Sequence, residues 1–200
     1  MDVSRATMGR IPIYLKYLRN ARHHSENISA TVLAKELGLG EVQVRKDLGA
    51  VSGAGRPKTG YNVAELIASL EKFFAPTKNC IVLVGAGKLG RALLDYNGFK
   101  EYGVEITAAF DAAVKDVEQS NSKKPIYPMD LFDDFCREHQ VKIGIIAVPA
   151  PYAQSVCDRL IKNGASAIWC FAPCTLSVPS HIPVQYENMA LSLAYLNKKI

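Results

Sequence analysis

The chain has little that would take it out of a reducing, aqueous compartment. Among its 200 residues no apolar run approaches the roughly 18 that a membrane-spanning helix needs, and Arg5, Arg10 and Pro12 break up the segment where a signal-peptide core would lie. The expected location is therefore the cytosol. Cysteine is sparse and odd in number, and five thiols scattered through the chain make no disulfide framework. Cys170 and Cys174, four apart, have the spacing of a redox switch or of half a metal site, but no histidine or second cysteine pair is near to complete the latter, and inert, partly buried thiols are the preferred reading. A proton-moving catalytic group is missing as well. His139 closes a predicted helix, His181 sits in a proline-flanked loop, and His23 and His24 belong to the front segment. Internal repeats are absent, and the polar loop Gln119 to Lys124 is the sole low-complexity stretch.

What is present is unevenly charged. Residues 1–60 hold ten Lys and Arg against five Asp and Glu, so the whole formal net charge of +5 sits at the front, while the remaining residues balance. Such a field attracts phosphate, although a solvated basic face has the same composition. The hydrophobic pattern there is helical. Pro12 suits the first turn of a helix carrying Ile11, Leu15 and Leu18 on its apolar side, with Tyr14 and Tyr17 alongside, and the polar run Asn20 to Asn27 ends it. A second helix runs from Ser29, a cap, to Leu37. Gly38-Leu39-Gly40 stops it, and Glu41 to Ala50 restarts the pattern with Val44 and Leu48 inward and Gln43, Arg45 and Lys46 outward. This is helix, turn, helix. Val51 to Tyr61, glycine-rich around Arg56 and Lys58, predicts a two-stranded wing or a loop; Val63 to Phe74 predicts a closing helix, and Ala75-Pro76-Thr77 a link.

Beyond the link strands and helices alternate. Strands are predicted at Cys80–Val84, Glu105–Phe110, near Pro125–Tyr127, and at Ile143–Val148, Ala167–Phe171 and Ile182–Gln185. The clearest helices are Lys88–Tyr96, Asp130–His139 with Asp130 as cap, and Tyr152–Asn163 closed by Gly164. Buried apolar strands separated by helices indicate an α/β fold, a parallel Rossmann-type sheet with its ligand crevice at the strands' C-terminal ends. Between the first strand and its helix stands Gly85-Ala86-Gly87-Lys88-Leu89-Gly90. Gly85 permits the tight turn, Gly87 lets backbone approach a pyrophosphate, and Gly90 lets the helix lie close to the strand. Asp111, 21 residues after Gly90, stands where a carboxylate accepts from the adenosine ribose hydroxyls and repels a 2′-phosphate, which favours NAD(H) over NADP(H). Val148-Pro149, after the fourth strand, borders the nicotinamide in this reading. The last helix is apolar round nearly its whole circumference, from Met189 to Leu196 with Ser192 the exception. It either enters a partner chain or packs in a groove of its own.

These features resemble the Rex family of redox-sensing transcriptional repressors over nearly the whole chain. The markers are Val42-Gln43-Val44-Arg45-Lys46-Asp47-Leu48, Gly60-Tyr61, Gly85 to Leu93, Tyr96-Asn97-Gly98-Phe99, Phe110-Asp111, Val148-Pro149 and Phe171-Ala172-Pro173. The resemblance implies a homodimer of chains with an N-terminal winged helix-turn-helix domain (1–76), a Rossmann NAD(H)-binding domain (77–185) and a swapped C-terminal helix (186–200). It implies a repressor that leaves an A·T-rich palindromic operator when NADH accumulates. Lys46 and its neighbours Gln43 and Arg45 would meet the DNA, with Arg56 and Lys58 on the flanking backbone. The glycine loop and Asp111 would hold the dinucleotide, and Tyr96 would lie near the nicotinamide and the swapped helix. The chain departs from the family pattern at Cys170, where asparagine is frequent, at Asn188, where an acid is common, and at Arg56-Pro57-Lys58. Two other readings stand beside it: an NAD-dependent oxidoreductase and a coenzyme A-binding subunit.

Overall fold

The structure, a computed structural model, describes residues 3–21, 26–75 and 79–200. The chain divides into two compact units, Met1–Pro76 with Lys100–Gly103, and Thr77–Phe99 with Val104–Ile200. His23 and His24 of the polar run, and Pro76 and Thr77 of the predicted link, lie outside the described residues.

In the N-terminal unit the first helix, α1 (Arg5–Ala21), begins two turns earlier than expected and carries Pro12 inside it. Two local bonds start it: the Thr7 N–H donates to Ser4 Oγ at 3.1 Å and the Met8 N–H to the Ser4 carbonyl at 2.9 Å. Pro12 has no N–H for the carbonyl four residues back, so the helix needs other support there. It comes from α3. Next are β1 (Asn27–Ile28) and α2 (Ala30–Leu37), capped by Ser29 Oγ accepting from the Val32 N–H at 3.1 Å and closed by Gly38 in the left-handed region. After two residues α3 (Glu41–Ser52) follows, then β2 (Tyr61–Asn62) and α4 (Val63–Phe73), capped by Asn62. The core is Ile11, Tyr14, Leu18, Leu33, Val44, Leu48, Leu66 and Leu70, which is the apolar pattern of the sequence made continuous. The two-stranded ladder is β1 with β2, antiparallel; the glycine-rich stretch adds only a bridge between Arg56 and Gly60.

Asp47 on α3 joins the first and third helices. It is 4% exposed and accepts from Thr7 Oγ1 (2.9 Å), Arg10 Nε (2.7 Å), an Arg10 terminal nitrogen (2.9 Å) and the Tyr14 hydroxyl (2.7 Å). A buried carboxylate is tolerated when it is paired and fully hydrogen-bonded, and this one has four donors from a single helix face. Burial and the Asp47 charge push the Tyr14 hydroxyl up to about 12, so it stays a donor.

The second unit is a seven-stranded sheet. Its elements are β3 (Cys80–Val84), α5 (Lys88–Leu94), β4 (Ala108–Asp111), β5 (Glu118–Gln119), β6 (Pro125–Pro128), α6 (Phe132–His139), β7 (Val141–Ile146), α7 (Ala150–Lys162), β8 (Ala167–Cys170), β9 (Val184–Tyr186) and α8 (Met189–Asn197). The order is β5-β6-β4-β3-β7-β8-β9, parallel except for β5, an edge strand taken from the predicted polar loop. Alternation along β3 sends Val82 and Val84 to one face with Phe110, Phe132 and Ile146, and Ile81 and Leu83 to the other with Leu94, Ala109 and Ile145. Three predicted helix limits move. Asp130 is no cap, because a 3₁₀ turn (Met129–Leu131) leads straight into α6; α7 starts at Ala150, since Pro151 fits a first turn. The helix from Lys88 ends at Leu94, short of Tyr96, and a 3₁₀ segment (Asn97–Tyr102) follows.

Removing the shared acceptor of α1 and α3 should cost about 3 kcal/mol, because Asp47→Ala leaves the Arg10 charge and the Tyr14 hydroxyl without their partner. Trp169, the only tryptophan, reports on the other unit. The expected outcome in urea is an earlier loss of helical circular dichroism with the Trp169 fluorescence transition unmoved. On its own, burial would raise the Asp47 pKa, but the bonds from Arg10, Tyr14 and Thr7 outweigh it and hold the carboxyl below the ordinary range. A carboxyl depressed in the folded state contributes stability above its unfolded pKa of about 3.9 and loses it as the pH falls through the folded value. Stability measured from pH 7 down to pH 3 should therefore fall less steeply in Asp47→Ala than in the parent.

Candidate functional site

The strand order reverses between β3 and β7, and a cleft of about 710 Å³ lies at the C-terminal ends of the strands there. Three glycines shape its floor, each for a different reason. Gly85 has φ +103°, and a Cβ there would stand 2.6 Å from the Ala147 carbonyl oxygen; a Cβ at Gly90 would overlap the Gly85 carbonyl oxygen. Both are therefore demanded by the chain's own backbone. Gly87 is different. It is exposed, its backbone is ordinary (φ −70°), and a Cβ would meet nothing within 4 Å. No packing in the protein requires glycine at this position, and its absence of a side chain leaves the backbone at the start of α5 open to close approach.

Asp111 closes the cleft at the end of β4. One carboxylate oxygen accepts from the Ala86 N–H at 2.6 Å and the other from the Ala113 N–H at 2.8 Å. Each oxygen keeps a second acceptor direction. The opposite wall is Ala147, Val148 and Pro149, followed by Tyr152, Val156 and Arg159 on α7. Sequence reading did not anticipate Arg159. Its Nε donates to Asp133 at 2.9 Å and a terminal nitrogen to the Met129 carbonyl at 3.1 Å, and its guanidinium lies 5.1 Å from the Phe132 ring centre. The Arg159 bond holds the Asp133 carboxyl below its usual range. Arg91 was also unforeseen: it donates to the Ala86 carbonyl at 3.0 Å and pairs with Glu118 at 2.6 Å, fastening the glycine loop to the sheet edge.

Of the predicted cofactor residues, Gly85, Gly87, Asp111, Val148 and Pro149 line this cleft. Ala86 is buried and serves it through its N–H, Gly90 through packing, while Lys88, Leu89 and Tyr96 stand outside the lining. Tyr96 is exposed and meets Phe99 edge-on at 5.0 Å; Phe99 in turn meets Trp169 at 5.8 Å.

The predicted DNA-contacting residues are all on the surface of the N-terminal unit. Gln43, Arg45 and Lys46 are exposed on α3, with Arg45 paired to Glu41 one turn earlier. Arg56 and Lys58 sit on the turn closed by Arg56 N–H to Gly60 carbonyl (2.7 Å) and its reciprocal bond (2.9 Å). Arg56 lies 3.7 Å from Glu65, both largely in solvent, a weak pair that a phosphate can displace. Asp47 is the α3 residue whose role the sequence hid: it faces in, between the outward Lys46 and the buried Leu48.

A family described as "CoA binding domain" matches residues 76–174, and one described as "Putative DNA-binding protein N-terminus" matches residues 2–49. The chain is 39% identical over 94% of its length to the redox-sensing transcriptional repressor Rex of Treponema denticola (90% of that protein), and 37% identical over 99% to that of Carboxydothermus hydrogenoformans (96% of that protein). Among solved structures it is similar to RSP, a Rex-family repressor, in complex with β-NAD⁺ and operator DNA (TM-score 0.82, 29% identity, all of this chain and 93% of that one). The same repressor with β-NADH gives a TM-score of 0.73 at 28% identity, covering all of this chain and 94% of that one.

The three glycines should separate under substitution. Gly85→Ala and Gly90→Ala should each cost about 2 kcal/mol or more, from the left-handed backbone and the backbone overlap respectively. Gly87→Ala should stay within about 0.5 kcal/mol of the parent. Urea midpoints followed by Trp169 fluorescence measure all three, and a large loss in Gly87→Ala would end the argument that its side is kept clear for a ligand.

Proposed function

This chain belongs to the Rex family of redox-sensing transcriptional repressors, and from that premise we propose how its residues divide the work of reading the NADH/NAD⁺ ratio and releasing an operator. The observation that carries the reading is Gly87, a glycine with no internal reason to be one, at the mouth of a cleft that also holds a carboxylate.

Residues 77–185 are the NAD(H)-binding domain. The Gly85 to Gly90 loop receives the pyrophosphate on the free amides at the start of α5, and Asp111 accepts the adenosine ribose hydroxyls on its remaining lone pairs. Val148 and Pro149 border the nicotinamide, and Tyr96 lies toward it. When bound, the dinucleotide supplies a nicotinamide ring that is cationic in one redox state and neutral in the other. No residue around the cleft is offered as a catalytic group, and the protein acts as a sensor in the cytoplasm, without turnover. Residues 1–76 are the DNA-binding domain, with Gln43, Arg45 and Lys46 entering the major groove or meeting its phosphates and Arg56 and Lys58 on the flanking backbone.

Residues 186–200 are the dimerisation helix. Asn188 caps α8, its side-chain oxygen accepting from the Leu191 N–H at 2.9 Å. Met189, Leu191, Leu193, Tyr195 and Leu196 of α8 are 60–69% exposed on a single chain. A helix apolar all round requires cover, and a second copy of this chain supplies it. Two DNA-binding domains held in this way read two halves of a palindrome, and linkage requires that operator binding weaken NADH binding by the factor by which NADH weakens operator binding.

The deciding experiment is a gel-shift titration on an A·T-rich palindrome with NADH, NAD⁺ and, as a third arm, coenzyme A. NADH should release the DNA, NAD⁺ should do so poorly at matched occupancy, and coenzyme A should do nothing. Lys46→Ala should weaken operator binding by about 1–3 kcal/mol without changing NADH affinity. Calorimetry should find NADH bound far more tightly than NADPH, because Asp111 meets a 2′-phosphate as like charge, and Asp111→Ala should narrow that gap. Leu193→Glu should split the dimer at a cost of several kcal/mol and lower operator affinity, since it buries a charge in the partner. Sedimentation mass is the check, and a folded, dimeric, NADH-responsive Leu193→Glu protein would refute the assignment of α8.

A further inference from the structure

The mechanism leaves unused a pair of thiols at the end of β8. Cys170 is its last residue and is fully buried; Cys174 is half-buried and packs on the same core. The turn between them folds both onto one acceptor: the Ala172 carbonyl takes the Cys174 N–H at 2.8 Å and the Cys170 thiol at 3.7 Å. The two thiols also sense each other electrostatically. A third thiol, Cys157 of α7, lies close enough to sense both electrostatically, but it is fully buried and burial pushes it up to about 11. Cys80 and Cys136 form a separate neighbourhood. Two cysteines four residues apart, bonded to a single carbonyl through the thiol of one and the backbone N–H of the other, with one of them reachable from solvent, make a candidate dithiol.

We propose that Cys170 and Cys174 are a peroxide-oxidisable dithiol that closes to a reversible disulfide. The Cys174 sulfur, the one open to solvent, attacks the peroxide O–O bond. A sulfur–oxygen bond forms, the O–O bond breaks, and the first water leaves. The Cys170 sulfur then attacks the Cys174 sulfenic acid; the sulfur–sulfur bond forms, the sulfur–oxygen bond breaks, and the second water leaves. In all, two thiols give up two electrons and two protons, and one hydrogen peroxide becomes two waters. Burial pushes the Cys170 thiol up, which suits the resolving partner, since it is not the first to react with solvent oxidant.

The position of the pair gives the bond somewhere to act. Cys170 faces Tyr186 across the β8 and β9 ladder, and its carbonyl accepts the Glu187 N–H at 2.9 Å. The Tyr186 hydroxyl accepts from the Leu176 N–H at 3.0 Å, so the loop beyond Cys174 is tied to the same strand. Asn188, which caps α8, follows directly. A covalent bridge therefore stiffens the segment that presents the last helix.

The test is made on the full chain, treated with hydrogen peroxide, alkylated under denaturing conditions and digested with trypsin. Residues 163–198 form one tryptic peptide holding Cys170 and Cys174 and no other cysteine, whereas Cys157 falls in 143–159. The expected result is that the 163–198 peptide becomes lighter by two hydrogens and loses both alkylation sites, that dithiothreitol restores them, and that Cys174→Ser abolishes the change. Cys170→Ala gives the reciprocal variant with little loss of buried volume; it should yield a Cys174 sulfenic acid trapped by dimedone and no disulfide. Five alkylatable thiols after peroxide treatment, a bridge to Cys157, or a Cys174 sulfinic acid without a disulfide in the parent would each overturn the proposal.

Discussion

The cleft depends on two close approaches of backbone to backbone. At Gly90 the first turn of α5 lies against the Gly85 carbonyl with no room for a methyl group, and at Gly85 the chain passes the Ala147 carbonyl so that a Cβ would stand 2.6 Å from its oxygen. These contacts fix how far the helix start stands above the sheet and how deeply the crevice between β3 and β7 is cut. They also bring the loop amides into reach of Asp111, which grips Ala86 from the neighbouring strand. Side chains decorate this arrangement but do not create it. The walls supplied by α7 and by the Met129 to Leu131 turn are positioned relative to a floor that is backbone alone.

The N-terminal unit is organised differently, around a charge. Three side chains along α1, at positions 7, 10 and 14, converge on Asp47, and α3 is thereby held at a set angle with Gln43, Arg45 and Lys46 outward. Because Arg10 and Asp47 neutralise one another inside, the positive field of the outer face comes from residues that remain in water. A helix whose outer face carries exposed cations is thus anchored by its single buried anion.

Periodicity and punctuation carried most of the architecture. Cys80–Val84 was legible to the residue because a run of five apolar or β-branched side chains ends at a glycine turn, and Ser29 and Gly38 were legible because capping is local chemistry. The failures share a cause. The start of α1 was hidden because Pro12 reads as a helix opening, whereas the residues before it are stabilised by Asp47, far along the chain. Arg91 and Arg159 line or fasten the cleft through partners 27 and 26 residues away, and an arginine on a predicted helix face carries no signal of that. Tyr96, taken from the family pattern, is exposed and not part of the cleft lining of a single chain. Local spacing thus located the glycines and the carboxylate, while long-range ion pairs and the surroundings of an exposed aromatic needed coordinates.

Gly87 bears differently on the history of the sequence than its two neighbours do. A mutation at Gly85 or Gly90 damages the fold itself, so any lineage that keeps the protein stable must keep them, whatever the protein is used for. Position 87 is under no such constraint, since the free chain accommodates a side chain there. A gene duplicate released from its ligand would drift first at this position while retaining a well-folded sheet and the other two glycines. The amino acid at position 87 is therefore a record of whether the crevice is still in use, and it can be read in any descendant without measuring binding.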